Sequence, residues 1–143
     1  MRIITLLLSM GIISTLFGAN SPKPYKTEAQ YQEICQSQKR MNAETIEQLR
    51  KYDVTEDKKL KLEYFFYTNA KEKAEALAAD LQKLGYVGSY DTSASDKMEF
   101  VITGWTTPIR MDLDSVTSWT ESMCTTGMKH DCEFDGWGTN PTQ

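Results

Sequence analysis

The amino-acid sequence predicts an α+β fold, and three observations in one stretch of the chain support this. Residues 60–67 are rich in aromatic side chains and alternate over most of their length, which is typical of a half-buried β-strand. Residues 69–84 follow with apolar side chains at helical spacing, and Gly85 stands where a helix can end in a left-handed conformation. A strand followed at once by an amphipathic helix is the first half of a β-α-β unit.

Two helices are predicted before this strand. Thr27 and Gln30 have the spacing of a capping box, which indicates a helix that runs to about residue 38. Asn42 is a residue type favoured at helix starts, and the apolar residues after it recur at helical spacing. We therefore expect a second short helix from Asn42, followed by a polar connection at residues 52–57.

Three strands and one further helix are predicted after the first β-α unit, and together they define the fold class. In chain order they are a strand at 86–90, a strand at 97–107, a helix from Asp112 or Asp114 to Gly127, and a strand at 130–134. The complete order is two helices and then β-α-β-β-α-β. This order predicts a ferredoxin-like sandwich, in which both later helices cover one face of an antiparallel sheet.

The composition favours a single globular domain and disfavours nucleic acid as a direct partner. The chain has 143 residues, of which 40% are hydrophobic and 25% charged, which is ordinary for one folded domain. The formal net charge is −4, and an acidic protein repels the phosphate backbone of RNA or DNA.

The N-terminus predicts export. Arg2 precedes an apolar run at residues 3–17, and the small residues Gly18 and Ala19 follow. This order is that of a secretory signal peptide, so residues 1–19 are predicted to be a leader cleaved after Ala19. The run is shorter than the roughly 20 residues that span a bilayer comfortably, so no stable membrane span is expected after cleavage. We expect a periplasmic or secreted protein, with an uncleaved N-terminal anchor as the alternative.

The sequence contains no arrangement typical of a catalytic or metal site, and no cofactor is expected. His130 is the single histidine, and Asp131 and Cys132 follow it directly. Neighbouring residues of a strand point to opposite faces, so Asp131 would not orient the imidazole towards Cys132. One histidine and three scattered cysteines also provide too few ligands for a zinc site. A non-enzymatic function is therefore predicted.

A protein-binding surface is predicted instead, on the sheet face turned away from the two later helices. Alternation places aromatic and acidic side chains together on that face. Exposed aromatic residues with an acidic rim suit a protein partner that carries a basic segment, whereas the negative charge disfavours an RNA platform. Coverage of part of this face by the N-terminal helices is the alternative. The candidate binding residues are Phe65, Tyr67, Trp105, Asp131, Glu133, Asp135 and Trp137.

Trp137 allows two interpretations. It lies between Gly136 and Gly138 directly after the predicted final strand, which favours a turn that folds the indole back on to the domain. Tryptophan is also enriched among the residues that dominate the binding energy of protein interfaces. Structural anchoring and partner binding are therefore both retained as hypotheses for Trp137.

The three cysteines are an odd number, so at most one intramolecular pair can form. In an oxidising compartment, Cys124 near the predicted helix end and Cys132 on the returning strand are the candidate disulfide. Cys35 would then be a free thiol, and its pairing with either of the others is the alternative. In a reducing compartment, all three would be buried thiols.

Three segments resemble the regulator of ribonuclease E activity B (RraB-like) family. They are residues 134–139 (FDGWGT), 81–86 (LQKLGY) and 42–53. The resemblance implies a ferredoxin-like α+β domain at 42–139, after a linker and N-terminal helix at 20–41 and before a tail at 140–143. It also implies a small non-enzymatic protein, since the family's namesake binds ribonuclease E and inhibits RNA cleavage through protein contacts. The predicted leader adds a second hypothesis, an exported binding or immunity-type protein unrelated to ribonuclease E.

Overall fold

The computed structural model describes residues 22–96 and 98–143, and the predicted signal peptide at residues 1–19 lies outside them. Within this described part, the chain forms three helices and six strands in two antiparallel sheets, which confirms the predicted α+β class. The helices are α1 (Glu28–Arg50), α2 (Lys71–Lys83) and α3 (Leu113–Lys129). The strands are β1 (Lys59–Leu60), β2 (Leu62–Thr68), β3 (Val87–Thr92), β4 (Phe100–Trp105), β5 (Ile109–Arg110) and β6 (Glu133–Thr139). None of the described helices is long and apolar enough to cross a membrane.

The larger sheet has the strand order β3-β4-β2-β6, and every neighbouring pair is antiparallel. The aromatic strand β2 lies in its interior, where side chains alternate between buried and half-buried. Phe66 of β2 is opposite Ile102 of β4 and Phe134 of β6. The register between β2 and β6 shifts between Phe65 and Phe66, because Asp135 is an extra residue in β6 and forms a β-bulge. Strands β1 and β5 form a separate short pair.

The core lies between the larger sheet and helices α2 and α3. Tyr64 and Phe66 of β2 are buried there, with ring centroids 6.0 Å apart in edge-to-face contact. Leu77 and Leu81 of α2 are at most 1% exposed, as the helical spacing of the apolar residues predicts. Leu84, by contrast, is 55% exposed because it lies just beyond the last residue of α2. The apolar face of α2 therefore ends earlier than predicted.

The two predicted N-terminal helices are one continuous helix, α1, and the expected helix start at Asn42 is wrong. The capping box is confirmed, since the Gln30 backbone N–H donates to Thr27 Oγ1 at 3.2 Å. Asn42 lies in the middle of α1 and is 1% exposed. Its side chain donates to Thr120 Oγ1 of α3 at 2.9 Å and accepts from Trp137 Nε1 at 2.9 Å. These buried hydrogen bonds offset the weak helix propensity of asparagine, so α1 continues across the domain boundary predicted before Asn42.

Helix α3 begins as predicted but ends later. Asp112 is its N-cap and accepts a hydrogen bond from the Ser115 backbone N–H at 2.8 Å. Gly127, which was expected to end the helix, lies inside it. A Cβ at Gly127 would come within 2.6 Å of the Cys132 carbonyl oxygen and 2.8 Å of the Phe66 ring. The glycine therefore permits close packing of α3 against the sheet, and β6 begins later along the chain than predicted.

Leu81→Ala is expected to lower the free energy of unfolding by about 2–5 kcal/mol, because it opens a cavity under the sheet. The matched control is Lys83→Ala on the same helix, whose side chain is 78% exposed. We expect this control to change stability by less than about 0.5 kcal/mol, because exposed ion pairs contribute little. Urea denaturation of both variants measures the difference. Equal losses of unfolding free energy in the two variants would show that the Leu81 side chain does not contribute to core packing.

Candidate protein-binding face

One face of the larger sheet is turned away from α2 and α3, and we call it the open face. Its side chains are half-buried or exposed, whereas their sequence neighbours on β2 and β4 are mostly buried. Helix α1 packs against α3 and against the edge strand β6, so it lies at the border of this face. The strand registers place on the open face Glu63, Phe65 and Tyr67 of β2, Val101, Thr103 and Trp105 of β4, Val87, Ser89 and Asp91 of β3, and Glu133 of β6.

Three of the predicted binding residues are aromatic and lie on the open face. Trp105 is 37% exposed at one end, opposite Val87 of the edge strand, which is 78% exposed. Phe65 lies in the middle of the face, and Tyr67 lies at the other end opposite Val101. Apolar side chains are therefore available along the length of the face, as the alternation in β2 and β4 predicts.

Acidic side chains border the open face at its Tyr67 end, and the protein partly desolvates them. Burial raises the pKa of Glu133 above its ordinary value, and the negative charges of Asp135 and Glu99 add to this shift. The Lys26 ammonium, 3.7 Å from Glu133, offsets part of it. Partial desolvation at the bulge also raises the pKa of Asp135. Carboxylates held close together in this way favour a cationic group arriving from a partner.

The segment before α1 contributes a residue to this corner that the sequence prediction missed. Burial raises the pKa of Tyr25, and the charges of Glu99, Glu133 and Asp135 raise it further, so its hydroxyl lies among these acids. The Lys26 ammonium lies 4.9 Å from the centre of the Tyr25 ring. Tyr25 belongs to a segment whose composition indicates only a linker, and no periodicity there predicts a surface role.

Asp131 is not part of this acidic border, although alternation along the predicted strand placed it there. It precedes β6 in a left-handed conformation, with φ of 54°. Its carboxylate accepts from the backbone N–H groups of Tyr25 (2.8 Å) and Lys26 (3.3 Å) and from the Tyr31 hydroxyl (2.6 Å). It also pairs with Lys73 Nζ at 2.6 Å. Burial acts to raise the pKa of Asp131, but these donors outweigh it and hold the pKa below its ordinary range. Asp131 therefore ties the N-terminal segment and α1 to α2.

Trp137 lies on the core side of the sheet, which favours the anchoring interpretation. The bulge at Asp135 shifts the alternation of β6 by one residue and places Trp137 opposite Tyr64, on the covered face. Its indole packs edge-on against Trp119 of α3, with ring centroids 6.4 Å apart. Its Nε1–H donates the hydrogen bond to Asn42 described above. The indole therefore joins β6 to both α3 and α1.

In the described part of the chain, the histidine and the cysteines do not form a catalytic set. His130 Nε2 lies 2.6 Å from Asp80 Oδ2, and this hydrogen bond is the main cause that lowers the pKa of Asp80. Cys132 Sγ lies instead near the backbone carbonyls of Lys73 and His130, at 3.6 and 3.5 Å. All three thiols are free, and the pairing of Cys124 with Cys132 stays a prediction. Across residues 22–96 and 98–143, no group of three His, Cys, Asp or Glu residues is placed to hold a metal ion.

Comparison with known proteins identifies the family. A family model described as regulator of ribonuclease activity B (RraB) matches residues 39–139, which is more than half of the chain. Among the curated proteins, none matches the chain. The matched range begins within α1 and includes every described strand together with α2 and α3, so it contains the open face, Asp131 and Trp137. The chain therefore belongs to the RraB family, the regulators of ribonuclease activity B.

Proposed function

We propose that this protein is a non-catalytic regulator that binds another protein through the open face. The observation that carries the proposal is the placement of Phe65, Tyr67 and Trp105 on one sheet face that is bordered by Glu133 and Asp135. Aromatic residues at the centre of a patch and charges at its rim are typical of protein interfaces. The family description, a regulator of ribonuclease activity, agrees with action through binding.

The partner surface that fits is a basic segment with an apolar side chain. Trp105 and Val87 offer a contact area to an apolar group at one end of the open face. Glu133 and Asp135 offer negative charge at the other end, where the partner's cation would also relieve their mutual repulsion. Lys26 occupies this site in the free protein, in a 3.7 Å ion pair with Glu133 that a lysine or arginine of the partner could replace.

Two identities of the partner are supported by different observations. The family description supports a ribonuclease as the partner. The resemblance adds that this ribonuclease is inhibited, since the family's namesake binds and inhibits ribonuclease E. The apolar run at residues 3–17 supports export to the periplasm or the medium, or retention by an uncleaved N-terminal anchor. An exported domain would meet a different partner, as a binding or immunity-type protein does, and the open face would serve it by the same chemistry.

The proposal includes a ferredoxin-like assignment of the larger sheet. Its support is the strand order β3-β4-β2-β6, with α2 connecting β2 to β3 and α3 connecting β4 to β6. This is the order expected of two interleaved β-α-β units, and it leaves one sheet face without either connecting helix.

The binding role is tested with Trp105→Ala against the matched control Leu84→Ala. The two side chains are 37% and 55% exposed, but Leu84 lies at the end of α2 and is not one of the open-face residues. The assay measures RNA cleavage by purified ribonuclease E at increasing concentrations of each protein. We expect Trp105→Ala to raise the inhibitory concentration at least about tenfold, or about 1.4 kcal/mol, because it removes the aromatic contact. Leu84→Ala should behave as the wild type.

The assay tests the role of the open face and the identity of the partner separately. Equal inhibition by the wild type and Trp105→Ala would contradict the role of the open face. No inhibition by the wild type would contradict the ribonuclease partner. A fusion of residues 1–25 to a reporter that is active only outside the cytoplasm then tests export. Reporter activity supports an exported partner, and silence of the reporter contradicts export.

A further inference from the structure

Two of the three cysteines face each other between helices. Cys35 of α1 and Cys124 of α3 lie close enough for the Cys35 thiol to raise the pKa of Cys124. Both line one crevice of about 180 Å³ between the helices, with Tyr31 at one side and Lys39 at the other. Both are half-buried, so the crevice leaves the two thiols within reach of a small reagent in solvent.

The packing of α1 on α3 holds these thiols together. Lys39 of α1 pairs with Glu121 of α3 at 4.0 Å. Farther along α1, Asn42 donates to Thr120 of α3 at 2.9 Å. Residues later on α1 thus contact residues earlier on α3, so the two helices run antiparallel in a defined register. This register places Cys35 of α1 and Cys124 of α3 in the same crevice.

Cys132 lies in the core, apart from the other two cysteines. Its side chain is 0% exposed, in the core beneath the sheet, whereas Cys35 and Cys124 lie in the crevice between α1 and α3. Its thiol neighbours are backbone carbonyls, including that of Lys73 on α2. The fold therefore presents one thiol pair to solvent and keeps the third thiol apart in the core.

We propose that Cys35 and Cys124 form a reversible disulfide that fastens α1 to α3, and that Cys132 remains a thiol. The oxidant is a disulfide, either of glutathione or of a thiol–disulfide oxidoreductase. One cysteine thiolate attacks it to form a mixed disulfide and releases one thiol. The second thiolate then displaces the other, so two protons leave the cysteines, one S–S bond forms, and the oxidant is reduced to two thiols. This proposal is independent of the proposed function, since it concerns the stability and redox state of the domain.

The bridge would stabilise the folded domain mainly by constraining the unfolded chain. It closes the chain between residues 35 and 124, a loop that contains most of the domain, and such long loops lose the most freedom in the unfolded state.

Burial raises the pKa of Cys124, and so does its neighbour Cys35. The thiolate fraction of Cys124 at neutral pH is therefore small. We expect glutathione disulfide to oxidise the folded protein slowly at neutral pH and faster as the pH rises.

The test is oxidation of the full-length protein with glutathione disulfide, followed by alkylation under denaturing conditions and peptide mapping without reductant. We expect one linked peptide pair that contains Cys35 and Cys124, with the alkylating label on Cys132. The midpoint of thermal unfolding should rise by about 5 °C or more on oxidation and return on reduction. Cys35→Ser and Cys124→Ser should each abolish this shift, and Cys132→Ala should retain it.

Other results would overturn the proposal. A linked pair of Cys124 with Cys132, or of Cys35 with Cys132, would show that a different bridge forms. Alkylation of all three cysteines after prolonged oxidation at pH 8–9, where thiolates are more abundant, would show that no bridge forms. A thermal shift that persists in Cys35→Ser would show that the shift does not come from this bridge. Because mapping uses the wild-type chain, these conclusions do not depend on whether a variant folds.

Discussion

Replacing Trp137 with alanine is expected to lower the free energy of unfolding by about 3–5 kcal/mol. The indole is half-buried, packs against Trp119 at 6.4 Å between ring centroids, and donates to Asn42 at 2.9 Å. Truncation removes this packing and leaves the buried Asn42 oxygen without its donor, which adds a desolvation cost. Chemical denaturation followed by circular dichroism measures the loss.

Trp137→Phe separates the contribution of packing against Trp119 from that of the hydrogen bond to Asn42. It keeps an aromatic ring near Trp119 but cannot donate to Asn42, so we expect an intermediate loss of about 1–3 kcal/mol. If Trp137→Ala instead unfolds at the wild-type midpoint and has lost binding to a partner, Trp137 is a binding residue. That result would contradict its anchoring role.

Asp131→Ala is expected to cost about 3 kcal/mol at neutral pH, because it leaves a largely buried cation without its partner. The Lys73 side chain is 15% exposed and lies 2.6 Å from the Asp131 carboxylate. The Tyr31 hydroxyl and two backbone N–H groups of the N-terminal segment lose their acceptor as well. Alanine is also strained at the φ of 54° that Asp131 adopts. Urea denaturation of the variant and the wild type measures this loss.

Asp131→Asn isolates the charge, since asparagine tolerates the same left-handed conformation. The folded-state pKa of Asp131 is lowered from an unfolded value of about 3.9. The carboxylate therefore contributes its full stability above the unfolded pKa and loses it as pH falls through the folded pKa. The stability difference between wild type and Asp131→Asn should be largest near neutral pH and shrink below about pH 4. A difference that stays constant on acidification would contradict the ionic role of Asp131.

The correct predictions concern residues where the local pattern and the tertiary packing agree. Strands β2 and β4 pair without a bulge, so alternation assigns Phe65, Tyr67 and Trp105 to the open face. In α2, the helical spacing of Leu77 and Leu81 corresponds directly to their burial against the sheet. For these residues the sequence pattern alone predicts the side of the element that faces the core.

The wrong placements concern residues whose position depends on distant contacts. The residue type of Asn42 predicts a helix start. In the structure, however, Asn42 lies inside α1, and its side chain is hydrogen-bonded to residues of α3 and β6. Gly127 was predicted to end the helix. It lies inside α3 instead, where the Phe66 ring and the backbone at Cys132 occupy the space that a side chain would need. The extension of β6 and its bulge at Asp135 were not predicted, and they place Trp137 on the covered face, in agreement with the anchoring interpretation. A glycine within a strand is a known sign of a bulge, so Gly136, with φ of 118°, was the available signal for this shift.

Site-specific photocrosslinking in the cells that produce this protein is the most direct test of the open face as a binding surface. A photoreactive amino acid replaces Trp105 in one variant and Leu84, outside the open face, in the matched control. We expect a covalent adduct with another protein at position 105 and none at position 84. Adding Glu133→Gln and Asp135→Asn should reduce the adduct, because the partner's basic segment loses its counter-charges. Adducts at position 84 with none at position 105 would contradict binding through the open face.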